Sequence, residues 1–335
     1  MKMKNYLLAI AALVISFSAS AQGNNHFAKD YMSLSGYLQG GFQTPGVGGD
    51  EPSSTFYLKR ARVSLTGNVP QDNIDYRLQV DMAGSPKICD LYFRYKLSAA
   101  FNVQLGQFKI PFAIENDIYG PTTVEFIDYS YITTLLARNA DRFDGISAGG
   151  RDIGLQLYGG FGEARGYNTL SYNLGIFNGA GINKADNNDA KDVVARLIFK
   201  PSKELSLSAS WMSAAANYEN HIQRSNRTAL GIIYDASSFI VRSEYALAKF
   251  DNKDVDAFYV MGGYKLKSDW MLVARYETLN EGKRHGANRV TLGAVFKPYS
   301  YLRFQLNYAI ENTSLQQPPK YDNTSGLNLM VTAIF

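Results

Sequence analysis

The chain has 335 residues, with 34 Lys and Arg against 30 Asp and Glu, one Cys and a mean hydropathy of −0.20. A balance of +4 gives no global basic field for nucleic acid, and a single cysteine excludes an intramolecular disulfide. Aromatic residues make up 13% of the chain, with 23 Tyr and 29 Gly, while no apolar run after the N-terminus reaches the ~18 residues of a membrane-spanning helix.

The first residues read as an address. Lys2 and Lys4 precede an apolar run at 7–17, and Ala19-Ser20-Ala21 forms a small-residue cleavage site before Gln22. This pattern predicts an export signal peptide over residues 1–21, then a short periplasmic segment at 22–30. Removing residues 1–21 takes away two lysines and no acids, so the balance falls from 34 − 30 = +4 to 32 − 30 = +2.

From residue 31 onward the dominant period is two. Ile74, Tyr76, Leu78, Val80 and Met82 alternate with Asp75, Arg77, Gln79 and Asp81; Leu302, Phe304, Leu306, Tyr308 and Ile310 alternate with Arg303, Gln305, Asn307, Ala309 and Glu311. A slip of one residue would turn the charges onto the apolar face, so the register is strongly set. About sixteen such runs are centred near Ser35, Val63, Leu78, Phe93, Val103, Leu155, Leu174, Leu197, Ala209, Ile232, Val241, Val260, Ala274, Leu292, Leu306 and Leu329. Short connections (200–203, 235–238, 265–268, 298–300) alternate with long polar ones (44–54, 178–191, 214–227, 280–288, 313–325). That asymmetry predicts an all-β, up-and-down antiparallel transmembrane barrel over 31–335, with short periplasmic turns and long outer loops. Tyr37, Tyr57, Tyr95, Trp211, Trp270, Tyr276, Phe296, Tyr299 and Tyr301 fall near strand ends and are expected in the interfacial girdles. Residues 111–150 form an outlying connection of about forty residues, with a helical pattern across 125–138. In a barrel too wide to be filled by side chains, such a loop is expected to fold inward and narrow the channel; the alternative is an outer cap. The last run puts Leu327, Leu329, Val331, Ala333 and Phe335 on one face, so an aromatic ends the closing strand.

Five segments make the reading specific. FYLKRARVSLTGNV at 56–69, YRLQVDM at 76–82, DLYFRY at 90–95, LGQFKIPFAIE at 105–115 and GRDIGLQLY at 150–158 occur in this order. Together they resemble the porin O/P family, phosphate-selective-type outer-membrane porins found in pseudomonads and widely in Bacteroidetes, and the chain looks like a Bacteroidetes member. The resemblance implies sixteen strands, a homotrimer, a third outer loop that constricts the pore, and a Gram-negative outer membrane. It also implies that barrel-assembly machinery reads Phe335.

Family members carry anions along arginines of the pore wall, with lysines at the constriction. Here Arg60, Arg62, Arg77, Arg94, Lys96, Arg196, Arg242, Arg275 and Arg303 fall on the lumen face and are the candidates for an anion path. Asp75, Asp81, Asp90, Asp152, Glu244, Glu277 and Glu311 share that face, so many of the cations could be neutralised. The long loop has no lysine. Its constriction candidates are Glu125, Asp128, Arg138, Asp141 and Arg142, and the lysine cluster does not carry over. The resulting expectation is passive diffusion of small hydrophilic solutes, with anion or phosphate preference as an extension of it. No cofactor, metal, nucleic acid or catalytic set is implied. The rival readings are a receptor or adhesin barrel with a closed pore, and a barrel lipase using His221 and Ser225.

Overall fold

The computed structural model describes residues 31–46, 53–69, 73–164, 166–219, 221–251, 253–266, 269–282, 286–314 and 323–335. The expected signal peptide and the segment 22–30 lie outside them. Sixteen strands follow one another: β1 (Met32–Gln43), β2 (Thr55–Val69), β3 (Ile74–Asp81), β4 (Lys87–Lys96), β5 (Asn102–Lys109), β6 (Arg151–Ala164), β7 (Tyr167–Phe177) and β8 (Asp192–Phe199). The second half comprises β9 (Leu205–Tyr218), β10 (His221–Asp235), β11 (Phe239–Phe250), β12 (Asp254–Lys265), β13 (Trp270–Glu281), β14 (Gly286–Tyr299), β15 (Leu302–Thr313) and β16 (Asn323–Ile334). Each pairs antiparallel with its sequence neighbours, and β1 pairs with β16 from Tyr37↔Ile334 to Gln43↔Asn328 to close the barrel. Closure matters in lipid, where an unpaired backbone N–H or C=O has no water to bond.

All sixteen expected centres fall within these strands. The outward faces carry the exposed apolar side chains, such as Leu105, Leu155, Leu197, Leu272 and Leu292, which is the arrangement lipid requires. Outward aromatics bound this band. Trp211, Tyr245, Tyr276 and Tyr308 lie toward the end bearing the long connections. Stacked pairs lie at the opposite end, Trp270 on Phe296 at 4.3 Å and Tyr299 on Tyr301 at 5.2 Å. Two of the expected girdle residues turn inward instead. The Tyr37 hydroxyl accepts from Arg62 Nη1 at 3.0 Å, and the Tyr57 hydroxyl donates to Asn328 Oδ1 at 2.5 Å. Parity with Gln39 and with Arg60 across a register shift at Gln39/Gly40 accounts for this.

Two expected loops prove to be strand. Within 214–227, residues 214–218 end β9 and 221–227 begin β10; the described residues of 280–288 likewise belong mostly to β13 and β14. Several outward side chains there are polar (Arg224, Asn226, Asn280, Asn288), because these ends stand beyond the apolar band, and the two-residue alternation loses its contrast. The helical expectation over 125–138 narrows to one wide turn at Ile132–Leu136, with a short α1 at Ile114–Asp117.

The seam depends on the last residue described. Gly36 N–H donates to the Phe335 carbonyl at 2.8 Å, and Phe335 N–H donates back at 3.0 Å. The Phe335 ring lies over Gly36, where an added Cβ would meet it at 2.5 Å. Only glycine leaves room for the ring at that place. Deleting Phe335 is therefore expected to lower the amount of barrel recovered from the outer membrane several-fold while leaving the unit conductance of assembled barrels unchanged. Equal recovery of the truncated chain would refute the assignment.

Candidate functional site

The connection between β5 and β6 folds into the barrel. Its base is tied by Ile110 N–H to the Gly150 carbonyl at 2.9 Å. Ala113, at φ 64 and ψ 150, turns the chain inward in a region of backbone space costly for any residue with a Cβ. Beyond it the loop is buried like a protein core. Ile114, Phe126, Ile132 and Leu136 are all at 1% exposure or less. Its polar backbone is met by the wall: Gln39 donates to the Pro121 carbonyl at 2.9 Å, Gln305 to the Glu125 carbonyl at 2.8 Å, and Asn307 Oδ1 accepts from Ile127 N–H at 2.8 Å.

Charge does most of the docking. The six carboxylates of the loop all find cations on wall strands. Glu115 and Glu125 both accept from Arg242, at 3.0 and 2.7 Å. Asp117 takes Arg196 through two contacts, and Asp128 takes Lys59. Asp141 accepts from Arg227 at 2.6 Å, and Asp144 accepts from the same guanidinium. In return, Arg138 of the loop pairs with Asp192, with an N–O approach of 2.5 Å and a hydrogen bond from Nη2 to Oδ1 at 3.3 Å, and Arg142 reaches Glu281. Loop aromatics cover the other faces of these cations, with Tyr119 at 3.9 Å from the Arg242 guanidinium, Phe126 at 4.5 Å from Arg275 and Tyr131 at 4.5 Å from Arg289. A desolvated guanidinium between a carboxylate and a ring gains from both. Burial pushes the Glu115 carboxyl up, but the charges of Arg242 and Arg275 and the Ser130 N–H outweigh it and hold the group below its ordinary 4.5.

The candidates named from sequence divide accordingly. Arg242, Arg275 and Arg303 are buried under the loop, and Arg303 bonds the Val124 carbonyl. Arg196 is held by Asp117. Glu125, Arg138 and Asp141 are buried in the docking pairs and are anchors of the loop; Asp128 and Arg142 keep side-chain exposures of 46% and 47%. On the opposite side of the lumen, Arg77, Arg94 and Lys96 have side-chain exposures of 34%, 35% and 48%. Arg62 donates to Asp81 at 2.8 Å and Arg60 to Gln39 Oε1 at 2.8 Å.

The cations that no loop carboxylate takes thus gather on the inner face of β2 to β6, with Arg77, Arg94 and Lys96 open to water. That face carries Arg60, Arg62, Arg77, Arg94, Lys96, Lys109 and Arg151 against Asp75, Asp81 and Asp90. A fourth carboxylate there, Asp152, is turned to Arg138 of the loop at 3.7 Å. Lys109 and Arg151 were not singled out from sequence, because they sit where β5 and β6 run into the long loop. Arg227, hidden in a segment read as an outer loop, and Arg289, just beyond another, were also missed. The lipase set does not form, since Ser225 is buried and accepts from Arg227 Nε at 3.1 Å. No cluster of His, Cys, Asp and Glu fit for a metal occurs among the described residues.

Comparison with known proteins places this geometry. Residues 32–335 match the sequence family described as phosphate-selective porin O and P. No curated protein matches the chain by sequence. Among solved structures, the anion-selective porin from Comamonas acidovorans is similar with a TM-score of 0.71 at 13% identity, over 91% of this chain and 99% of that one. OmpT of Vibrio cholerae in its trimer form gives 0.67 at 14% identity, over 91% and 99%. OmpF of Salmonella typhi in complex with daunomycin gives 0.61 at 10%, over 91% and 97%. These likenesses are of fold.

The docking of the loop sets a pH dependence. A carboxyl held below its ordinary value contributes stability above that value and loses it as pH falls through the lower one. For Glu115 the contribution is complete above its ordinary value of 4.5, so its share of the docking should be lost only below that pH. Arg242→Ala leaves Glu115 and Glu125 buried without their main cation and is expected to cost roughly 3–5 kcal/mol, partly recovered on acidification. Thermal melting of the detergent-folded protein across pH checks both statements; an unchanged melting temperature in Arg242→Ala would contradict them.

Proposed function

Because the chain belongs to the phosphate-selective porin O and P family, we infer that this barrel is an outer-membrane porin whose water-filled passage prefers anions. Porin-type passive diffusion through a Gram-negative outer membrane is the activity of that family and needs no cofactor. The anion preference rests on one observation: seven cations against the three carboxylates that pair with them on the inner face of β2 to β6.

A solute enters at the end with the long connections, which in such barrels faces outward. It meets the extracellular side of the inward loop, where Lys59 and Asp128 compensate each other and Arg60 does not meet a carboxylate within 4 Å among the described residues. It then passes along Arg62, Lys109 and Arg151, and leaves by Arg77, Arg94 and Lys96 near the periplasmic turns. Each carboxylate on this side lowers the field of an adjacent guanidinium without abolishing its donors. An anion can exchange one charge-assisted hydrogen bond for the next, while cations are repelled by the net charge. Selection by size occurs where the loop approaches β1 and β2 through Gln39 and Lys59.

Family membership also supports a homotrimer, recognition of the Phe335 end by barrel-assembly machinery, and a place among the members from Bacteroidetes, the last on the five ordered segments. Phosphate specificity is the weaker extension, since the loop has no lysine and its carboxylates take up the wall arginines.

Planar-bilayer recordings test the reading. Fixed-size open steps are expected, with a reversal potential in a KCl gradient that reports anion preference. Arg60→Gln should reduce that preference, and a silent membrane would favour a closed receptor barrel. Millimolar phosphate that leaves the chloride current unblocked would remove phosphate specificity while leaving general anion preference in place. Deleting residues 125–138 should raise the unit conductance, and an unchanged value would put the loop outside the conduction path.

A further inference from the structure

A cavity of about 440 Å³ lies on the outward side of the inward loop, between the loop and strands β2, β13, β14 and β15. That is the size of a site for a small organic molecule rather than a bare inorganic ion. Its apolar lining comes from Ile127, Tyr129, Tyr131, Leu135, Leu279 and Ala287. Four cations border it, Lys59, Arg60, Arg142 and Arg289, against two carboxylates, Asp128 and Glu311.

Three of the four cations are committed. Lys59 is taken by Asp128, Arg142 by Glu281, and Arg289 by Glu277 with Glu311 at 3.6 Å. Arg60 bonds the neutral Gln39 through Nη1, and no carboxylate lies within ion-pair distance of it among the described residues. A single uncommitted guanidinium beside a broad aromatic and aliphatic lining is poorly matched to a small, strongly hydrated polyanion, which gains most from several cations at once. It is well matched to one carboxylate, which a guanidinium can take through two parallel bonds, carried on a flat apolar body that packs on tyrosine rings.

We propose that this vestibule is a binding site for aromatic monocarboxylates, with Arg60 taking the carboxylate and Tyr129, Tyr131 and Leu135 taking the ring. The assignment rests on the porin reading and narrows its solute class. Such a site raises the local concentration of the solute above the narrowest point, and its modest strength lets the solute leave.

The test uses benzoate, acetate and benzamide added to the outer side of channels in dilute KCl. Benzoate should reduce the chloride current at roughly tenfold lower concentration than acetate, the factor expected from one ring packed on tyrosines, and benzamide should have no comparable effect. Arg60→Gln should abolish the difference between benzoate and acetate, and Leu135→Asn should reduce it. If open steps appear but benzoate acts no better than acetate, or blocks Arg60→Gln as it blocks the natural chain, the site is refuted and the porin reading stands. If no steps appear, the porin reading fails. Calorimetric titration of benzoate into the detergent-folded protein then decides the site: heat that disappears in Arg60→Gln supports it, and no heat overturns it.

Discussion

The pairing of loop carboxylates with wall arginines is the interaction on which the interior depends. Sixteen strands enclose a space too wide for their own side chains to fill. The loop between β5 and β6 occupies much of it, and its burial would be unfavourable if its acids were left alone. Glu115, Glu125, Asp141 and Asp144 each enter a poorly hydrated place only because Arg242 or Arg227 is already there. The converse holds for the arginines, whose desolvation would otherwise leave unpaired charges within the wall.

The same pairing divides the lumen into two unlike sides. Where the loop docks, wall cations are consumed and water is excluded. Where it does not, toward the periplasmic ends of β3 and β4, Arg77, Arg94 and Lys96 keep part of their surface in water. Permeation chemistry and structural chemistry thus use one residue type on one barrel. What separates them is whether a loop carboxylate reaches the guanidinium. The acidic character of the loop, which looks unhelpful for an anion pathway, confines that pathway to one side without cancelling it.

Much of the architecture was legible because a lipid-exposed face and a wet face impose a two-residue period. The contrast between Leu78 and Gln79 or between Leu306 and Asn307 locates strand and register together. The legibility fades where the outward face leaves lipid, as at Arg224 and Asn288, and there strand was read as loop. Inward direction was likewise readable for Arg62, Arg242 and Arg303. What the period could not supply was partnership. Nothing local distinguishes Arg242, sealed under Tyr119, from Arg94, which faces water. The difference comes from a loop more than a hundred residues away in sequence and from the path it takes across the lumen. Tyr37 and Tyr57 show the same limit, since an aromatic near a strand end fits a girdle or a pore wall equally well until parity with its neighbours is fixed.

The loop's attachments have a mechanical consequence. It is tied to Gln39 on β1 and Lys59 on β2, and also to Arg227 on β10, Arg242 on β11 and Arg303 on β15. A thin-walled tube of this width, held only by its hoop of backbone hydrogen bonds, would flatten readily under uneven lateral pressure. Fastened at several points around its circumference, the loop is an internal brace. It fixes the shape of the cross-section, so that the aperture is set by the protein and not by the tension of the surrounding bilayer.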